Sequence, residues 1–368
     1  MNKISRILFD SIQVALWGKE ADIALYQGLT VEDWNELYDA ACKQTVEALV
    51  FDALETIDPD ELSIPKPLIR KWCIRIQQIE ERNGFMNGIM AEQLACFAKE
   101  NIIPVLQKGQ GIAQYYPNPL HRNCGDIDWY FDSRDSFDKV YNLVKDQVSE
   151  LSFSSLDGFF RWKGLETELH LRLVESRNPL NWKFIKSLEQ KYQNQFQMFQ
   201  VGAEIAKTPA PILNLLLVNI HILKHQITYG IGMRQFCDAA VLYDKLDGLY
   251  DKMELYRAYK KLGVVAWSHV FHHFLVTYMG LDESKLPYAI KKGTDSKWMA
   301  EDLIRGANFG FHDESHPDHL VKGRRINRAS RLSSTFVKYV KIAPSETLVF
   351  PVFQSMKRIY MYFKRSKK

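Results

Sequence analysis

Cysteine is scarce and scattered, with Cys42, Cys73, Cys96, Cys124 and Cys237 the only five in 368 residues. None stands in Cys-x-x-Cys spacing, so neither a zinc ribbon nor a disulfide frame is indicated, and free thiols fit a cytoplasmic protein. Charge of one sign is also lacking. Lys and Arg number 48 against 44 Asp and Glu, a net charge of +4. That gives no general case for nucleic-acid binding, although the tail from Lys322 onward is locally basic. Long apolar runs are missing too. The best membrane candidate, residues 212–223, is too short to span a bilayer and carries Asn214, Asn219 and His221. Asp10 interrupts the first apolar segment and no small-residue cleavage site follows, so a signal peptide is not expected. There is no internal repeat and no low-complexity tract. What remains is an ordinary globular composition, 46% hydrophobic, 25% charged and 12% aromatic, in a chain long enough for two or three packed units.

The first hundred residues carry helical periodicity. Ile4, Leu8, Ile12 and Leu16 recur at four-residue spacing, and Thr30 with Asp33 predicts a capped helix through Trp34, Leu37 and Ala41. A Pro-containing break at Ile64-Pro65-Lys66-Pro67 precedes a long helix over about 68–99, whose expected role is packing. Residues 101–205 alternate strand and helix signals. Ile102-Ile103-Pro104-Val105-Leu106 reads as a buried strand entering a glycine turn. Asp132 or Ser133 caps a helix to about 146. Strands are expected around 151–154, 159–163 and 165–173, with Asp157-Gly158 as a turn, and a further strand over 196–201. Pro179 opens a helix to about 192. From Pro209 onward helices return, broken by Gly230-Ile231-Gly232 and resuming at Met233-Arg234. Residues 281–330 are expected to be loops, and the tail 357–365 mixes aromatic and basic side chains, a pattern that suits contact with nucleic acid or an anionic surface and equally an amphipathic docking helix.

One stretch concentrates the chemistry. Lys108-Gly109-Gln110-Gly111 is followed by Cys124-Gly125-Asp126-Ile127-Asp128-Trp129-Tyr130-Phe131, which reads as a second strand. Period-two alternation puts Asp126 and Asp128 on one face and Ile127, Trp129 and Phe131 on the other. Two adjacent carboxylates repel, and a cation between them relieves that; hard oxygen ligands suit Mg²⁺ or Mn²⁺. Further on, Glu166, Glu168, His170 and Arg172 share one strand face.

A glycine turn, Asp-x-Asp on the next strand and a carboxylate on a later one resembles the nucleotidyltransferase superfamily of polymerase β type. The longer string, Leu106-Gln107-Lys108-Gly109 through Tyr116-Pro117 and Arg122 to Gly125-Asp126-Ile127-Asp128, then Glu168-Leu169-His170, is similar to its large bacterial nucleotidyltransferase branch. The resemblance implies an α+β fold: a polymerase-β-like core with a mixed sheet over 101–205, between an N-terminal helical unit (1–100) and a C-terminal helical domain (206–368). It implies Asp126, Asp128 and Glu168 as catalytic metal ligands for Mg²⁺ or Mn²⁺, with Glu166 in reserve. It also implies Lys108, Gly109, Gly111, Arg122 and Arg234 around a nucleoside triphosphate, the glycines admitting the phosphates to backbone N–H groups. The expected reaction passes a nucleoside monophosphate to a hydroxyl on a small molecule, protein or RNA and releases pyrophosphate. Gln110 stands where the wider superfamily has a serine, and Glu168 where Asp is commoner.

Rival readings are a nucleotide-binding module that has lost turnover, favoured by Gln110, and a toxin or antitoxin acting on a protein or RNA partner. His221 and His225 stand four apart on a helix but lack the Glu of a His-Glu-x-x-His zinc site. His225, Arg234 and Asp238 read either as core hydrogen-bonders or as a wall facing the nucleotide, with Arg234 and Asp238 placed for an ion pair on one helix. His269, His272 and His273 read as packing and surface residues.

Overall fold

In a computed structural model the protein is described over residues 1–228, 230–306 and 336–349. The helical approach is α1 (Lys3–Trp17), α2 (Ile23–Tyr26), α3 (Val31–Gln44), α4 (Glu47–Glu55) and the long α5 (Lys66–Ala98). Thr30 and Asp33 close a capping box at the start of α3, each side chain bonding the other's backbone N–H. The strands are β1 (Val105–Leu106), β2 (Ile127–Tyr130), β3 (Ser149–Phe153), β4 (Asp157–Trp162), β5 (Leu165–His170), β6 (Gln197–Val201) and β7 (Glu204–Thr208). They make one seven-stranded mixed sheet in the order β3-β4-β5-β2-β1-β7-β6, parallel at β2/β5 and β1/β7 and antiparallel elsewhere. Between and after the strands run α6 (Gln110–Ala113), α7 (Arg134–Val144), α8 (Trp182–Tyr192), α9 (Pro211–Thr228), α10 (Met233–Lys245), α11 (Lys252–Leu262), α12 (Val265–Thr277) and α13 (Lys297–Gly306). The fold is therefore α+β, a mixed sheet flanked by helices on both sides in sequence.

Alternation along β2 sets the site. Ile127, Trp129 and Phe131 bury in one cluster with Met86, Met90 and Phe97 of α5 and Phe137 and Val140 of α7. A buried polar link fixes that packing: the Trp129 indole donates to Gln93 Oε1 at 2.7 Å, and Gln93 Nε2 donates to Thr167 Oγ1 at 2.8 Å. One α5 side chain thus ties β2 to β5 beneath the sheet, in the register that sets Asp128 opposite Glu168. The long helix has more than a packing role. Asn83 donates to the carbonyls of Leu120 and Arg122, and Arg82 to that of Gly125, which pins the loop leading into β2.

Three local expectations are corrected. Asp157-Gly158 is not a turn but the start of β4, with Ser154 bonding to Asp157 around the bend before it. Gly158 is small for another reason: a Cβ there would meet the Phe153 ring at 2.9 Å. The tight reversal is Lys163-Gly164, whose φ values of 49° and 86° fit the two-residue hairpin between Trp162 and Leu165. Strand β5 ends at His170, and β7, which was not expected, carries the sheet to Thr208 beside β1. Residues 281–306 are not all loop, since they include α13. The basic aromatic tail 357–365 lies outside the described residues.

Candidate active site

Strand β1 delivers the chain into a turn that only glycine accommodates well. Gly109 has φ +57° and ψ −126°, a combination costly for any side chain. Here the turn closes through Gly111 N to Lys108 O at 3.0 Å and Ile112 N to Gly109 O at 3.1 Å. Backbone pairing of Gln107 N with Asp128 O at 3.0 Å sets the turn beside β2. The result is a cleft of about 530 Å³ lined by Lys108, Gly109, Arg122, Asp126, Asp128, Glu168 and Arg234, among others.

Asp128 lies at its floor, 3% exposed, with one cationic donor on each oxygen. Lys108 Nζ is 3.0 Å from Oδ2, and His170 Nε2 donates to Oδ1 at 3.1 Å. Burial alone would raise the Asp128 pKa, but these two neighbours hold it well below the usual carboxylate range. Among the described residues Asp126 has no such partner. Repulsion from Asp128, with burial, pushes it up to about 6 against the opposing pull of Lys108. Glu168 is the open member, its side chain 45% exposed and its Oε2 3.4 Å from His170 Nε2. Burial would favour neutral His170, yet Asp128, Asp157 and Glu168 hold its pKa well above the ordinary value, so the ring is a buried cation.

The far wall comes from α9 and α10. Asp238 does not pair with Arg234 along α10, as the four-residue spacing predicts. It takes Arg122 in a two-pronged bond of 2.8 and 2.7 Å and the Tyr116 hydroxyl at 2.7 Å. The guanidinium of Arg122 therefore faces the cleft with its charge already met. Arg234 donates to the carbonyl of Asn123, leaves its buried Nε without a hydrogen-bond partner, and is unmatched by any carboxylate within ion-pair distance among the described residues. Burial and Arg122 depress its pKa. His221 and His225 also line the cleft, ring centroids 4.4 Å apart. Burial, with nearby Lys108 and Lys224, keeps both rings neutral, His225 at about 3.

Two predicted residues are not brought to the cleft. Gly111 turns inward, where a Cβ would meet Leu106 and Thr208 at 3.3 Å; its smallness serves the packing of the turn on β1 and β7. Glu166 pairs with Arg161 at the other end of β5. Sequence reasoning missed Asp157, His170, Glu175 and Lys224, all of which line the cleft. His170 was findable, two residues past Glu168 on the same strand face. Glu175, paired with Lys224 and drawn down to about 2 despite its burial, had no local signal.

The donors fit a divalent cation. Asp128 and Glu168 stand opposite each other on β2 and β5 with Asp126 in the same cleft, hard oxygen ligands whose mutual repulsion shows in the raised pKa of Asp126. His170 lies within 4.8 Å of Asp128 and Glu168 but, protonated, supplies charge rather than a ligand. Against this geometry the family assignment is direct. The chain belongs to the uncharacterised nucleotidyltransferase family, whose model matches residues 30–280, from the cap of α3 to just beyond α12. Membership supports nucleotidyl transfer as its general role. No curated protein and no solved structure matches the chain. Among the described residues no helix is long and apolar enough to cross a membrane.

Proposed function

We propose that the cleft binds a nucleoside triphosphate with Mg²⁺ or Mn²⁺ and transfers the nucleoside monophosphate to a hydroxyl acceptor, releasing pyrophosphate. The observation that carries this reading is the juxtaposition of Asp126, Asp128 and Glu168 beside the Gly109 turn, in a member of a nucleotidyltransferase family. Asp126, Asp128 and Glu168 would hold the metal. When bound, such an ion polarises the reacting phosphoryl group and lowers the pKa of the attacking hydroxyl. Lys108 and Arg234 supply positive charge against the phosphates, and Gly109 lets the backbone approach them. Glu168, whose side chain is 45% exposed, would take the acceptor's proton. Arg122, neutralised by Asp238, which also accepts from the Tyr116 hydroxyl, keeps the wall in shape. In the same reading the sheet is the catalytic core and the helical units on either side close it.

Calorimetric titration with each of the four triphosphates in Mg²⁺ tests the proposal, with Asp126→Ala and Asp128→Ala as controls. The expected result is binding that both substitutions abolish. Unchanged binding in both variants would overturn it. Transfer of label from an α-labelled triphosphate in a cell lysate then identifies the acceptor.

A further inference from the structure

We propose that Lys108 is a built-in counter-ion for Asp128 that must pass to the nucleotide's phosphates before a divalent cation can take that carboxylate, so that metal and nucleotide enter together. The inference rests on the nucleotidyl-transfer reading and adds an order of events to it.

Both oxygens of Asp128 are occupied, at 3.0 Å by Lys108 and at 3.1 Å by His170, and almost none of the carboxylate meets water. A metal ion that takes either oxygen competes for it with one of these two cationic donors, at like-charge contact. They are not equally displaceable. His170 sits in β5, in register with Tyr130 of β2, and Glu168, Asp157 and Glu175 surround its ring at 3.4, 3.5 and 3.9 Å. Four carboxylates hold that ring at once, so freeing it from Asp128 breaks into a network rather than a single contact. Lys108 stands on the turn at the lip of the cleft, on a flexible four-carbon stem. Asp128 is the one carboxylate within ion-pair distance of it among the described residues.

A cation arriving alone would therefore evict a partly buried ammonium and leave it unpaired a few ångströms from a dication, two unfavourable terms together. A triphosphate removes both, because its oxygens accept Lys108 while the metal takes the vacated carboxylate oxygen. Gly109, next in the chain, faces the same cleft. Such coupling is reciprocal: nucleotide tightens metal by the factor with which metal tightens nucleotide.

The test compares the full chain with Lys108→Met and Lys108→Arg, titrating Mn²⁺ alone and following free Mn²⁺ by electron paramagnetic resonance. Lys108→Met is expected to bind Mn²⁺ about tenfold or more tightly than the parent, while Lys108→Arg stays weak. With the Mn²⁺ complexes of α,β-methylene triphosphates the order reverses, and Lys108→Met binds less tightly than the parent. If Lys108→Met fails to fold by circular dichroism, Lys108→Gln carries the same comparison. A folded neutral variant that gains no affinity for Mn²⁺ alone overturns the inference. If the neutral variant gains Mn²⁺ affinity but the parent binds none of the Mn²⁺–nucleotides, the counter-ion role stands and the reading of the cleft as a triphosphate site falls.

Discussion

The two faces of the central strands are made by neighbouring residues and do opposite things. On one face Ile127, Trp129 and Leu169 bury against α5 and α7. On the other, Asp126, Asp128, Glu168 and His170 crowd like and unlike charges into a cleft. The apolar face needs no partner beyond the protein. The charged face is electrostatically unfinished, with Asp126 pushed up to about 6 by its neighbour. The lesson is one of division of labour: burial on the underside holds together, in fixed register, carboxylates that would otherwise move apart.

The largest expected effect breaks the underside. Trp129→Ala removes a fully buried indole and its bond to Gln93, and should cost about 3–5 kcal/mol in urea denaturation. Gln93→Leu sharpens the comparison. It leaves the indole N–H and the Thr167 hydroxyl buried without their partner and should cost about 1–3 kcal/mol.

On the charged face the sign reverses. The Asp126 pKa is raised on folding, so its contribution is most favourable below its unfolded value and is lost as pH rises through about 6. In EDTA at pH 8, Asp126→Asn should therefore stabilise the protein, by about 1–2 kcal/mol, and flatten the decline in stability between about pH 4 and 6. A loss of stability instead would mean that Asp126 is compensated as fully as Asp128.

A smaller effect distinguishes both faces from the periphery. His121 lies between Asp52 at 2.6 Å and Glu80 at 2.9 Å, and the Asp52 hydrogen bond is the chief cause of its raised pKa. That stabilisation is full below the unfolded histidine value and is lost as pH rises through the raised one. His121→Gln should cost about 1 kcal/mol at pH 6 and little at pH 9. Smallest is the capping box of α3, where Thr30→Ala should cost about 0.5–1 kcal/mol at any pH near neutrality.

Much of this was legible in the chain. Period-two alternation placed Asp126 and Asp128 on one face and their apolar neighbours on the other, and the Thr30 cap and the Pro-led helix α5 were written in local residue choice. The misreadings were of two kinds. Asp157-Gly158 carries turn residues, but its glycine answers the Phe153 ring, a contact no local rule contains. The second kind is pairing across distance. Spacing offered Arg234 to Asp238, whereas the fold gives Asp238 to Arg122, 116 residues earlier. Tyr116 and Arg122 were noticed in the motif, but their common partner lay on α10, more than a hundred residues further along the chain. Strand β7, short and carrying Glu204 and Lys207, has too little apolar pattern to announce itself, and gains its place only by pairing with β1 and β6.

The most direct measurement is a crystal of the protein soaked with Mn²⁺ and an α,β-methylene triphosphate, read by anomalous scattering at the manganese edge. The account predicts a manganese peak touching the carboxylates of Asp126 and Asp128, with the phosphates against Gly109 and the Lys108 ammonium turned from Asp128 onto them. Manganese bound away from both aspartates, or a triphosphate seated outside this cleft, would contradict it.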